Sequence, residues 1–178
     1  MQFQSVVLSG QLAGFLIGGG MTVPNDLPRS LPELAAEALA QGVPVQDAAA
    51  SWLVQAEERP FPAALLDSGL VYLAANKPYA RLLQLPPAAF VGKEYSRVHR
   101  LAVKTLAQPT DDLALLHEAV SGGQALGLPL PDALEGPDGQ DYRWWTLSPL
   151  RGPEGQVRGL VLEFFPDDPG AKTRAAEQ

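Results

Sequence analysis

At 178 residues, 46% of them apolar, the chain has material for one domain with an extension but too little for two full domains. Twenty acidic against thirteen basic residues leave a net charge of -7, which excludes the basic footprint that phosphate backbones and anionic lipid surfaces require. The absence of cysteine excludes disulfides, thiolate metal sites, iron–sulfur clusters and any cofactor tethered through sulfur.

Residues 6–20, VVLSGQLAGFLIGGG, form the only long apolar run. It is short and Gly-rich for a membrane span, and no Lys or Arg precedes it as the start of a signal peptide would demand, so a cytoplasmic location is expected. Gly18-Gly19-Gly20 directly before Met21 is also the pattern left when the purine-rich ribosome-binding site of a bacterial gene is read as codons. Two readings of residues 1–20 stand: an untranslated leader before a start at Met21, or an edge strand or apolar helix packed on the domain or on a partner.

Ser30 with Glu33 three residues on forms a capping box, and Leu31, Leu34, Ala35, Ala38 and Leu39 recur at helical spacing up to Gly42. Val45, Ala48, Ala49, Trp52, Leu53 and Ala56 repeat the pattern in a second helix that Pro60 stops. Both stripes need a cover. From Pro60 short strands and tight turns take over, which places a boundary there. Ala63–Leu66 and Leu70–Ala74 flank Asp67-Ser68-Gly69, a hairpin in which Gly69 is expected to supply a positive φ. Asn76 caps a helix through Leu83, Pro86-Pro87 open a short turn of helix to Phe90, and Gly92 closes it.

Residues 94–106 are expected to be helical. Thr110-Asp111-Asp112 cap another helix, with Leu113, Leu116, His117 and Val120 on one side, which ends at Gly122-Gly123. Three strands follow. The first, Gln124–Leu130, is expected to break at Pro129 and Pro131, and Gly136-Pro137-Asp138-Gly139 is a turn. In Asp141–Leu150, alternation sets Tyr142, Trp144, Thr146 and Ser148 against Arg143, Trp145 and Leu147. Gly152-Pro153-Glu154-Gly155 turns the chain into a last strand over Val157–Phe165.

Two strands, several short helices and three strands, in that order, resemble the PAS fold over about residues 60–166. The residues carry the likeness as well. ALLDSGLVYLAANKPYARLLQL is similar to the family's opening, with Asp67 in the hairpin and Asn76 as the cap. Phe90-Val91-Gly92-Lys93 matches its hydrophobic-Gly-Lys stop, and GPDGQDYRWWTLSPLRGPEGQVRGLVLEFF its closing strands, with Pro149 and Gly159 in place. The resemblance implies an α+β domain: a five-stranded antiparallel sheet with helices across one face, here preceded by two short amphipathic helices. The organisation expected is an apolar segment at 1–20, a helical extension at 21–59, the PAS domain at 60–166 and a flexible tail at 167–178.

The resemblance also implies a cavity between sheet and helices, whose occupant is haem, flavin, a small metabolite or nothing. Tyr79, Leu83, Phe90, Leu113, His117, Trp145 and Leu147 are the candidates to line it. The cysteine-dependent flavin photochemistry of the light-sensing subgroup is excluded, and the cofactor is otherwise open. His117, on the apolar stripe of its helix, is the one candidate haem ligand, against the plainer reading of a half-buried, hydrogen-bonded histidine. His99, between Arg97 and Arg100, reads as a surface residue, and Asp67, Asp111, Asp112 and Glu163 as turn, cap or solvent-facing residues. No Ser/His/Asp set, phosphate loop or metal-ligand spacing is present, so no enzymatic activity is expected.

Pro166 and Pro169 oppose the outgoing signalling helix that family members often carry, and the short polar tail has no room for an effector. Output is therefore expected in trans, through a homodimer or a separate signalling protein rather than nucleic acid or membrane. Leu34, Trp52, Leu53 and Trp144 are the candidate contacts. A ligand-free docking module of the same fold is the competing expectation.

Overall fold

The computed structural model describes residues 29–101, 111–136 and 139–169, with side chains except at 99–101, 111–112 and 131–134. The apolar run at 6–20, the start at Met21, the helical continuation over 102–106, the Thr110 cap, the tail beyond 169 and the His99 side chain lie outside that description. The elements run α1 (Leu31–Ala40), α2 (Val45–Ala56), β1 (Ala63–Asp67), β2 (Tyr72–Ala75), α3 (Lys77–Leu83), a 3-10 turn at Pro87–Ala89, α4 (Tyr95–Leu101), α5 (Asp111–Gly122), β3 (Leu126–Glu135), β4 (Asp141–Arg151) and β5 (Val157–Phe165).

The strands form one antiparallel sheet in the order β2-β1-β5-β4-β3. Its two faces bury two separate cores. On the inner face, Leu66, Tyr72, Trp145, Leu147, Leu160, Leu162 and Phe164 meet Tyr79, Leu82, Leu83, Phe90, Tyr95, Val98, Leu116 and Ala119 from the helices and the 3-10 turn. On the outer face, α1 and α2 lay Leu31, Leu39, Val45 and Trp52 over Ala63, Leu65, Ala74, Leu150 and Val161. Helices of 10 and 12 residues are marginal alone. Burying Leu31, Leu39 and Trp52, at roughly 1.5–3 kcal/mol each, is what holds them. The change in sequence character near residue 60 therefore separates two local styles, while the outer core runs across it.

Three details differ from expectation. Gly69 does not carry the positive φ of the β1–β2 turn; Leu70 does, at 63°, with its side chain buried. The strain is offset because that conformation drives an apolar side chain into the inner core. The prolines of β3 do not break it. It continues to Glu135 with a register irregularity between Pro129 and Leu134, which an edge strand tolerates because the missing N–H costs no ladder bond on the open side. Tyr142 leaves the alternation of β4 and joins the inner core with Trp145, opposite the resumption of pairing at Leu134.

Candidate functional site

The inner core is an aromatic compartment. β2 holds Tyr72 inward, the first turn of α3 brings Tyr79 to it, the 3-10 turn delivers Phe90, and α4 opens with Tyr95. The Tyr72 ring lies 5.8 Å from Tyr79, 5.2 Å from Phe90 and 6.0 Å from Tyr95, centroid to centroid. Trp145 and Phe164, paired across β4 and β5, stack at 6.0 Å and close the sheet side. Tyr79 bridges to Phe164 at 6.1 Å.

Inside this apolar shell the hydroxyls of Tyr72 and Tyr79 hydrogen-bond each other at 2.6 Å. Burial pushes the Tyr72 hydroxyl well above its usual range, and the neighbouring Tyr79 and Tyr95 hydroxyls push the same way. The Tyr72 hydroxyl is therefore neutral at physiological pH.

Of the residues expected to line the interior, Tyr79, Leu83, Phe90, Trp145 and Leu147 are buried together, and Leu113 packs half-buried against them. His117 does not join them. The buried stripe of α5 runs Leu113, Leu116, Ala119 and Val120, which turns position 117 outward, and His117 is exposed. The residues present therefore do not fit a haem held through His117. Sequence reading missed Tyr72 and Tyr95, although Tyr72 sits in the short run LVYLAA where alternation with buried neighbours points inward.

The motif residues are accounted for by geometry. Asp67 Oδ1 accepts from the Gly69 and Val71 amides at 2.9 and 3.0 Å, fixing the hairpin turn. Asn76 caps α3 through Tyr79 N–H at 3.1 Å. Gly159 has no room for a side chain, since a Cβ there would stand 2.8 Å from the Leu66 carbonyl oxygen. Arg151, which sequence reading passed over, donates to the Gly123 carbonyl at 2.7 Å and to that of Gly155, so it pins the end of α5 to the β4–β5 turn.

The outer face sorts the docking candidates. Trp52 is 2% exposed and its Nε1 donates to the Leu31 carbonyl at 3.1 Å, so it joins α2 to α1 and is not free for a partner. Leu34, Leu53 and Trp144 are half-buried, and Val54 of α2 is 61% exposed. Trp144 lies over Gly127, where a Cβ would meet its indole nitrogen at 3.3 Å. Glu163, expected to face solvent, is half-buried. Burial raises its carboxyl to about 7, against the opposing pulls of Arg59 and of Thr146 across the ladder. Thr146 Oγ1 is buried without a partner at hydrogen-bonding geometry, so its pull is slight.

A cleft of about 480 Å³ opens elsewhere, between the α1–α2 loop, Asp67-Ser68 and the β4–β5 turn. It contains none of the compartment's rings. Its charged groups are Asp67 at the end of β1, Glu154 in the β4–β5 turn and Arg158 near the start of β5. Among the described residues no cluster of His, Asp or Glu is placed to hold a metal ion, and no helix is long and apolar enough to cross a membrane.

No curated protein sequence matches that of this chain. Among solved structures, the PAS domain of BvgS from Bordetella pertussis is similar at 15% identity and TM-score 0.51, over 72% of this chain and 92% of that one. The VqmA dimer of Vibrio cholerae is 17% identical at TM-score 0.45, over 65% of this chain and 49% of that one, so the chain spans about half of VqmA. A domain of an HTR-like protein from Haloarcula marismortui is 21% identical at TM-score 0.41, over 60% and 97%. At such identities the likeness concerns fold. A family model for the PAS fold matches residues 56–165, the span that carries the five strands and the helices between them, and the chain belongs to that family of sensory and signalling modules.

Proposed function

We propose that this protein is a non-catalytic sensory input module that receives an uncharged small ligand in its aromatic compartment and signals in trans, through a homodimer or a separate cytoplasmic protein. The observation that carries the reading is the Tyr72–Tyr79 hydroxyl pair, a polar group retained inside an otherwise apolar shell. A hydroxyl pair inside an apolar shell is a polar feature that a ligand's hydrogen-bonding group can address, and a ligand that binds one packing of sheet and helices more tightly than another selects it. The exposed Val54 and half-buried Leu53 and Leu34 supply apolar surface for the output contact. The charge of -7 supports a protein partner over nucleic acid.

A second reading, a ligand-free docking module, is favoured by the rings themselves, which pack against one another at 5.2–6.2 Å. The two separate in one experiment. Purified protein is recorded for absorbance and weighed by native and by denaturing mass spectrometry. A non-protein absorption band, or native mass in excess by one small molecule that Tyr79→Phe reduces, is the expected outcome. A colourless protein of equal mass under both conditions overturns ligand sensing in favour of docking.

A further inference from the structure

Asn76 is the one described polar residue that is fully buried, at 0% exposure, and all of its hydrogen-bonding capacity is used. Its Oδ1 accepts from Ala63 N–H at 3.0 Å and from Tyr79 N–H at 3.1 Å. Its Nδ2 donates to the carbonyls of Ala56 and Phe61, both at 2.9 Å. Its own N–H and carbonyl bond to Ala63 and Ala80. An N-cap needs only the acceptor. The amide nitrogen reaches elsewhere: Ala56 ends α2 on the outer face, and Phe61 lies in the connection to β1. One side chain thus bolts together an outer helix, the first strand and the inner helix that carries Tyr79. Glu57 adds a strut on the surface, accepting from Lys77 N–H at 2.7 Å.

We infer that Asn76 is a coupling residue through which a change in the packing of Tyr79 is passed across the sheet edge to the C-terminal end of α2, next to exposed Val54. This deepens the proposed function and rests on its reading of the compartment as input and α2 as output. The physical ground is that a planar amide cannot follow a moved acceptor or donor on one edge without displacing the partners on its other edge. Breaking those contacts would orphan buried backbone groups. Moving the cheaper element is favoured, and the end of a short helix is the cheaper element.

The test is hydrogen exchange of the full-length protein, without added ligand, with β4 amides as the internal standard for global opening. Tyr72→Phe removes one hydroxyl of the buried pair and so disturbs Tyr79 from the far side. It is expected to raise exchange over residues 57–59, whose amides close the last turn of α2, by about threefold or more, the order of a weakened hydrogen bond. Asn76→Ser keeps an acceptor for the Tyr79 cap but cannot serve both outer carbonyls. In that background Tyr72→Phe is expected to loosen α3 and leave residues 57–59 unchanged. An equal response in both backgrounds, or none at 57–59 in the native one, overturns the coupling.

Should Asn76→Ser not fold, the reverse direction decides, since coupling is reciprocal. Trp52→Phe removes the indole bond to Leu31 and unsettles α2 without touching α3. It is expected to raise exchange at residues 80–83, and no change there overturns the coupling. No ligand enters these measurements, so a protein without bound mass leaves them intact, and a failed coupling leaves the mass measurement intact.

Discussion

Gln84 ends α3 in the left-handed region at φ 58°, the position that glycine usually fills, and its side chain is exposed. Its side chain does not offset the strain, unlike that of Leu70, whose similar φ places a buried side chain. The cap hydrogen bonds to the Ala80 and Arg81 carbonyls are backbone bonds that any residue can make. Glycine relieves roughly 1–2 kcal/mol of left-handed strain and costs about 0.5–1 kcal/mol in chain entropy, so Gln84→Gly is expected to stabilise the domain by about 0.5–1 kcal/mol, read as a higher urea midpoint at an unchanged slope. A lower midpoint would show that the side chain contributes more than the backbone strain costs. The contrast explains what was legible at this scale. Asp67 and Asn76 announce themselves, because short polar side chains bond nearby backbone amides and the partner is close in sequence. Leu70 does not, because burial elsewhere in the fold outweighs a local preference. The two outward bonds of Asn76 are invisible for the same reason: their acceptors lie 15 and 20 positions away.

Periodicity located α1 and α2 because each has one wet and one dry side, and the strands were located by the turns that bound them. It misled at α5, where Leu113 and Val120 fit a stripe through position 117 as well as one through Leu116 and Ala119. Only the sheet beneath the helix selects between them. β5 posed the opposite difficulty. A central strand is covered on both faces, so an acidic residue in alternation looks solvent-facing when it is half-covered. Glu163 has consequences for pH. Its carboxyl titrates at about 7 in the folded protein against an ordinary 4.5, so the folded state holds the proton more tightly than the unfolded state. The associated stability is complete below about 4.5 and is lost as pH rises through 7. Glu163→Gln removes that loss. The variant is expected to gain about 1–2 kcal/mol over the native protein between pH 5 and pH 8, a figure discounted for partial exposure. Urea unfolding of both proteins at the two pH values measures it, and a constant difference between them would refute the assignment.

At the largest scale the described residues form a sheet with helices on both faces, and the family resemblance described only the inner set. What the outer helices cover could not be read from the sequence, because an apolar stripe requires burial but does not name the surface that supplies it. Trp52 shows the consequence: read as a partner contact, it is spent inside the chain. Val54 then becomes the informative residue, since a large apolar side chain left 61% exposed beside half-buried Leu53 marks surface that the described residues do not cover. If α2 forms the output contact, the native protein dimerises, and Val54→Asp places a carboxylate in an apolar contact on each side of the two-fold axis. Its dissociation constant is expected to rise by roughly tenfold or more, the order of losing one central apolar contact. Light scattering across a dilution series measures this, with the unfolding midpoint of the variant as the control for fold. A native protein that stays monomeric at every concentration would assign α2 to a different partner. A dimer indifferent to Val54→Asp would move the contact away from α2, leaving the half-buried surface around Trp144 to carry it.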